Sequence, residues 1–68
     1  MQSDPPREFL PRVGIGFRQA FKKGWRAQVE GKPIDVCPYE PSTQAGQRFH
    51  RFWIAGYQKA DQISEVEP

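Results

Sequence analysis

Gly31-Lys32-Pro33-Ile34-Asp35-Val36-Cys37-Pro38-Tyr39 is the stretch whose reading decides the fold. A proline inside a helix loses a hydrogen bond and clashes with the preceding turn, and the residue before it is pushed toward extended backbone. Neither Lys32-Pro33 nor Cys37-Pro38 is therefore expected to be helical. A glycine with a proline just beyond it marks a helix closing on a left-handed residue. The stretch is a connector, and it sets how two helical segments face each other.

Upstream, the spacing predicts a helix from about Val13 or Gly16 to Glu30. Phe17, Ala20, Phe21, Gly24, Ala27 and Gln28 recur at intervals of three and four, while Gln19, Lys23, Arg26 and Glu30 fall on the other side. Downstream, Ser42 or Thr43 can cap a second helix running from about Thr43 to Asp61 or Ile63. Its apolar stripe is Ala45, Phe49, Phe52, Trp53, Gly56, Tyr57 and Ala60. The expected fold is all-α: a two-helix antiparallel hairpin over residues 13–63, joined by a Pro-rich connector (Pro33, Pro38, Pro41). Residues 1–12, with Pro5, Pro6 and Pro11, read as an extended or disordered segment, in which Phe9 and Leu10 either fold back or stay exposed. Residues 64–68 read as a frayed acidic tail, so both termini are expected to be flexible.

A faint internal echo links the helices. Phe17, Phe21, Gly24 and Trp25 recur 32 residues later as Phe49, Trp53, Gly56 and Tyr57. A mid-helix glycine costs about 1 kcal/mol relative to alanine, so each needs a packing reason. Close backbone approach where the helices cross supplies one.

The 68 residues make one small domain, which buries only a modest core and gains from a partner. A single cysteine excludes an intrachain disulfide. No apolar run approaches the roughly 18 residues of a membrane span, and the N-terminal residues lack a signal-peptide layout, so the expectation is cytoplasmic. The net charge of +2 is unevenly spread: from Arg12 to Lys59 there are nine basic residues and three acids, Glu30, Asp35 and Glu40. A basic body with acidic ends points to a polyanionic partner.

The candidate RNA-binding residues are Arg18, Lys22, Lys23, Arg26, Lys32, Arg48 and Arg51. Arg18, Lys22 and Arg26 follow i, i+4, i+8 and line one side of helix 1. Trp25 and Tyr57 flank the stripes and either finish the core or stack on unpaired bases. Cys37 and His50 are the sole cysteine and histidine, too few for a four-ligand zinc site, and no base-and-orienter set accompanies the thiol. Cys37 reads as a small thiol packing the connector, with redox chemistry or an intermolecular disulfide as the first alternative and catalysis as the second. His50 reads as a surface residue or a phosphate contact. No catalytic residue, cofactor, metal or small-molecule substrate is expected.

Ala20-Phe21-Lys22-Lys23-Gly24-Trp25, Gly31-Lys32, Cys37-Pro38-Tyr39 and Trp53-Ile54-Ala55-Gly56-Tyr57, in that order, resemble the ribosome modulation factor family. The resemblance spans about Phe17 to Ala60. It implies two helices joined by a connector and makes Gly24, Trp25, Gly31, Cys37, Pro38, Tyr39, Trp53, Gly56 and Tyr57 the structural signature. It further implies binding to the small ribosomal subunit near the RNA end that pairs with messenger leaders, and promotion of dormant ribosome dimers in bacteria. The chain differs from the family pattern at Gln28, in the 13-residue spacer from Tyr39 to Trp53, and in an N-terminus carrying Asp4-Pro5-Pro6. The other reading is a small homodimeric protein-interaction module, of mobile-element origin, that binds a protein rather than RNA.

Overall fold

A computed structural model describes residues 4–66, with side chains through Ile63. Among these residues the chain forms two α-helices, α1 (Ile15–Val29) and α2 (Gln44–Val66), and two short 3₁₀ turns, Arg7–Phe9 and Ile34–Val36. There is no strand among them.

The helix ends follow local chemistry. Gly31 has φ +79°, the left-handed conformation, and closes α1. Its N–H donates to the Gln28 carbonyl at 3.0 Å, and the Lys32 N–H reaches back to Ala27 at 2.9 Å. This pair of bonds satisfies carbonyls that the helix end would leave bare. At the start of α2 the Thr43 hydroxyl accepts the Gly46 N–H at 3.0 Å, an N-cap.

The two helices pack against each other, but they run parallel rather than antiparallel. Near the beginnings of both, the Phe17 ring sits 4.8 Å from Phe49 and 5.1 Å from Phe52, centroid to centroid. Beyond the crossing, Gln28 at the end of α1 donates to Asp61 late in α2, at 3.2 Å. An antiparallel pair cannot make both contacts, because at about 1.5 Å per residue each partner would be displaced by more than 10 Å. The connector, residues 30–43, makes the parallel arrangement possible by returning along the pair. Lys32 meets Tyr57, Cys37 meets His50 and Tyr39 meets Phe49, so the connector descends α2 as its own numbering rises. Two-to-five-residue loops force antiparallel neighbours; this segment is long enough to cross back.

The helices touch through backbone at two reciprocal points. A Cβ on Gly24 would lie 2.8 Å from the Trp53 carbonyl carbon and closer still to its oxygen. A Cβ on Gly56 would lie 2.9 Å from the Phe21 carbonyl carbon, again with the oxygen nearer. Each glycine meets the residue three before the other, so the crossing has an approximate two-fold relation that matches the 32-residue echo. Packed around it are Ala20, Phe21, Trp25, Ala27, Trp53 and Ala60, with Trp53 only 2% exposed.

The two flanks are closed by different segments. The connector covers one through the Tyr39–Phe49 stack at 5.2 Å and the Tyr57 hydroxyl, which donates to the Lys32 carbonyl. Residues 4–12 lie against the other. Phe9 stacks on Trp25 at 6.0 Å, Leu10 packs against the same cluster, and the Lys59 ammonium sits 5.2 Å above the Phe9 ring. Of the segment expected to be extended or disordered, Met1–Ser3 lie outside the described residues. At the other terminus the helix of α2 continues into the expected tail as far as Val66, and residues 67–68 lie outside the described residues.

Candidate nucleic-acid interface

Because the helices are parallel, both begin at the same end of the molecule. Each helix N-terminus carries a partial positive charge of roughly half an elementary unit. In an antiparallel pair these would oppose each other; here they add. Neither helix has an acid in its first turn. Instead α1 carries Arg18 in that turn, and α2 carries Arg48 and Arg51 soon after its start. A cation in the first turn of a helix is unfavourable to the helix itself, so Arg18 sits where helix stability alone would not put it. From Pro41 to Ala60 the chain contains no acid at all. Glu40 is the acid that the connector brings to this end, its carbonyl lying against Gly46.

The sequence-predicted cations fall into two groups. Arg26 is paired with Asp4 at 2.9 Å, and Lys32 with Glu30 at 3.2 Å. Both pairs lie toward the end where α1 finishes. Arg18, Lys23, Arg48 and Arg51 are exposed, Lys22 is half-buried, and none of the five has an ion-pair partner among the described residues. The i, i+4, i+8 stripe of α1 is therefore divided: Arg18 and Lys22 face solvent without an acid, while Arg26 is already engaged by the N-terminal segment. A groove between α1 and the connector has Trp53 and Ala27 in its wall and Lys23, Arg26 and Lys32 around it, with Glu30 among them.

The aromatic candidates are committed elsewhere. Trp25 is buried beneath Phe9. Tyr57 stacks on Trp53 at 5.5 Å, and its hydroxyl is bonded to the connector. Trp25 therefore completes the core, and Tyr57, half-buried, has one face and its hydroxyl engaged. Gly24 and Gly56 form the crossing, Gly31 the end of α1, and Tyr39 the stack on Phe49. Pro38 is exposed beside the connector groove.

Cys37 and His50, far apart in sequence, are neighbours in space. The His50 Nδ1 lies 3.2 Å from the Cys37 Sγ, both half-buried. Among the described residues no group of three or more His, Cys, Asp or Glu is placed to hold a metal. The pair pins the connector to α2 and fixes the orientation of the imidazole. The sequence reading weighed these two residues together only as an incomplete zinc or nucleophile–base set, and did not expect their contact. The only clue was that the connector had to lie against some part of α2.

No helix among the described residues is long and apolar enough to cross a membrane. No curated protein and no solved structure matches the chain. The family model described as Ribosome modulation factor matches residues 11–64, covering α1, the connector, the glycine crossing and all but the last two residues of α2. The chain belongs to the ribosome modulation factor family.

Proposed function

We propose that this protein binds ribosomal RNA of the small subunit and lowers translation by occluding its site, without catalysing a reaction. Family membership brings the ribosome into the reading. The observation that carries RNA as the contact is the end where both helices begin, with its unpaired arginines and no first-turn acid. Arg18, Lys22, Lys23, Arg48 and Arg51 would meet phosphates directly. Arg26 and Lys32 would first have to leave Asp4 and Glu30. Such binding releases counterions, so it weakens steeply with salt. The reading places the protein with ribosomes in the cytoplasm.

Sedimentation of purified ribosomal subunits with and without the protein tests this, at low salt and again at high salt. Co-migration with small subunits at low salt, lost at high salt, is expected. Absence from the small-subunit fraction at low salt would overturn it. The alternative is a homodimer built on surplus aromatics; all nine aromatic residues are at least half-buried within the chain, which favours the RNA reading over it.

A further inference from the structure

We infer that the outward face of α2 carries a pocket for one unpaired nucleotide, an inference that rests on the RNA reading above. An open groove of about 470 Å³ lies on this face, away from the helix crossing. Pro41, Ile54 and Ala55 give it apolar surface; Gln47, Arg51 and Gln58 surround that surface with hydrogen-bonding groups; His50 stands beside them. The volume falls within the roughly 300–1,000 Å³ of small-ligand sites.

The chemistry of this lining fits a base better than a bare phosphate. Two carboxamides each offer a donor and an acceptor, as the edge of a base requires. An arginine plane and an imidazole offer surfaces on which a base stacks. The Cys37 contact at 3.2 Å holds the imidazole in place before any ligand arrives, which reduces the ordering that binding would require. The lining itself holds no acid, Glu40 and Asp61 lying just beyond its two ends, and Arg51 has no ion-pair partner among the described residues. A second copy of the chain fits less well. A two-fold contact centred on this face would bring Arg51 close to its own image, and like charges brought together weaken such a contact. Duplex RNA keeps its base edges stacked and paired, so a pocket of this kind selects single strands.

The test is fluorescence anisotropy with a labelled single-stranded RNA of mixed sequence and the duplex of the same strand, each over a series of salt concentrations. The proteins are wild type, the double variant Gln47→Ala/Gln58→Ala, and Arg48→Ala as a phosphate-contact control. Both glutamines are exposed on α2, and circular dichroism verifies that the helices persist. The double variant is expected to lose about tenfold in single-strand affinity and less than about twofold for duplex, with an unchanged salt slope. Arg48→Ala is expected to weaken both RNAs and to reduce the slope by about one. Wild-type affinity of the double variant for both RNAs, while wild type itself binds RNA, overturns the pocket alone. Failure of wild type to bind either RNA overturns the RNA reading and the pocket with it. Conversion of a dimer to a monomer by the double variant, seen by light scattering with RNA affinity unchanged, assigns the face to a second copy and overturns the pocket.

Discussion

The two ends of this molecule are built from similar parts and treated oppositely. Where the helices begin, Phe17, Phe49, Phe52 and Tyr39 pack together, and the nearby arginines have no ion-pair partner among the described residues. Past the crossing, Trp25, Phe9 and Ile63 pack together, and cations are answered from within the chain: Arg26 by Asp4, Lys32 by Glu30, Lys59 by the Phe9 ring. Both ends close a hydrophobic cluster, so stability alone does not account for the difference. It lies in electrostatics. At one end cations are paired within the chain; at the other Arg18, Arg48 and Arg51 have no ion-pair partner among the described residues, and it is this end that the proposed function uses.

The severest way to break this comparison is to separate the helices between the two ends. Gly24→Ala places a methyl group against the Trp53 backbone, which cannot swing aside as a side chain would. Alanine gains about 1 kcal/mol in helix propensity, but forcing the backbones apart costs more. A net loss of about 2–3 kcal/mol is expected, read as a fall in Tm of roughly 10–20 °C at this size. An unchanged or higher Tm would show that the close crossing is not essential.

A cut at one end alone is next. Phe9→Ala removes a half-buried ring from Trp25 and from Lys59. Its cost should be about 1–2 kcal/mol, below that of a fully buried phenylalanine. Urea unfolding measures this, and Trp fluorescence should shift to the red as Trp25 gains solvent. No change in either would mean that residues 4–12 do not hold to the helix pair in solution. The other end is tested by function. Arg48→Ala/Arg51→Ala should leave urea unfolding within about 0.5 kcal/mol of wild type while lowering low-salt affinity for ribosomal RNA by tenfold or more and flattening the salt dependence. The smallest effect is expected for Asp4→Asn. The Asp4–Arg26 pair is half-exposed on both sides, and such pairs contribute only about 0–1 kcal/mol. Stability should scarcely move, but freeing Arg26 should raise RNA affinity a few-fold at low salt. A fall in affinity would mean that Asp4 positions Arg26 for the contact rather than competing for it.

Much of the architecture was legible from the residues. The apolar spacing of three and four located both helices, Gly31 announced the end of α1, and Thr43 was one of two foreseen caps. The direction of α2 was not legible by the same means. Periodicity says which face of a helix is apolar and is silent about which way the neighbour runs. That depends on the path of the connector, fixed by contacts such as Cys37–His50 and Tyr39–Phe49 between residues far apart in sequence. The 32-residue echo held a trace of the answer, since equivalent residues of a parallel pair lie side by side. The basic residues were also visible one by one. Their division into engaged and unengaged groups was not, because it required Asp4 to be brought back to Arg26 by the docking of Phe9.

The parallel crossing also dictates how this chain can acquire its structure. In a helical hairpin, contacts start at the turn and zip outward over short sequence separations. Here the first tertiary contact between the helices already spans a loop of about 30 residues; Gln28 and Asp61, for example, are 33 apart. Closing such a loop loses chain entropy before any packing returns it, and rates fall as the separation of contacting residues grows. Folding should therefore be slow for a helical protein of this size. During synthesis, α1 leaves the ribosome before α2 is made, and Phe21 waits for its backbone partner Gly56, 35 residues later.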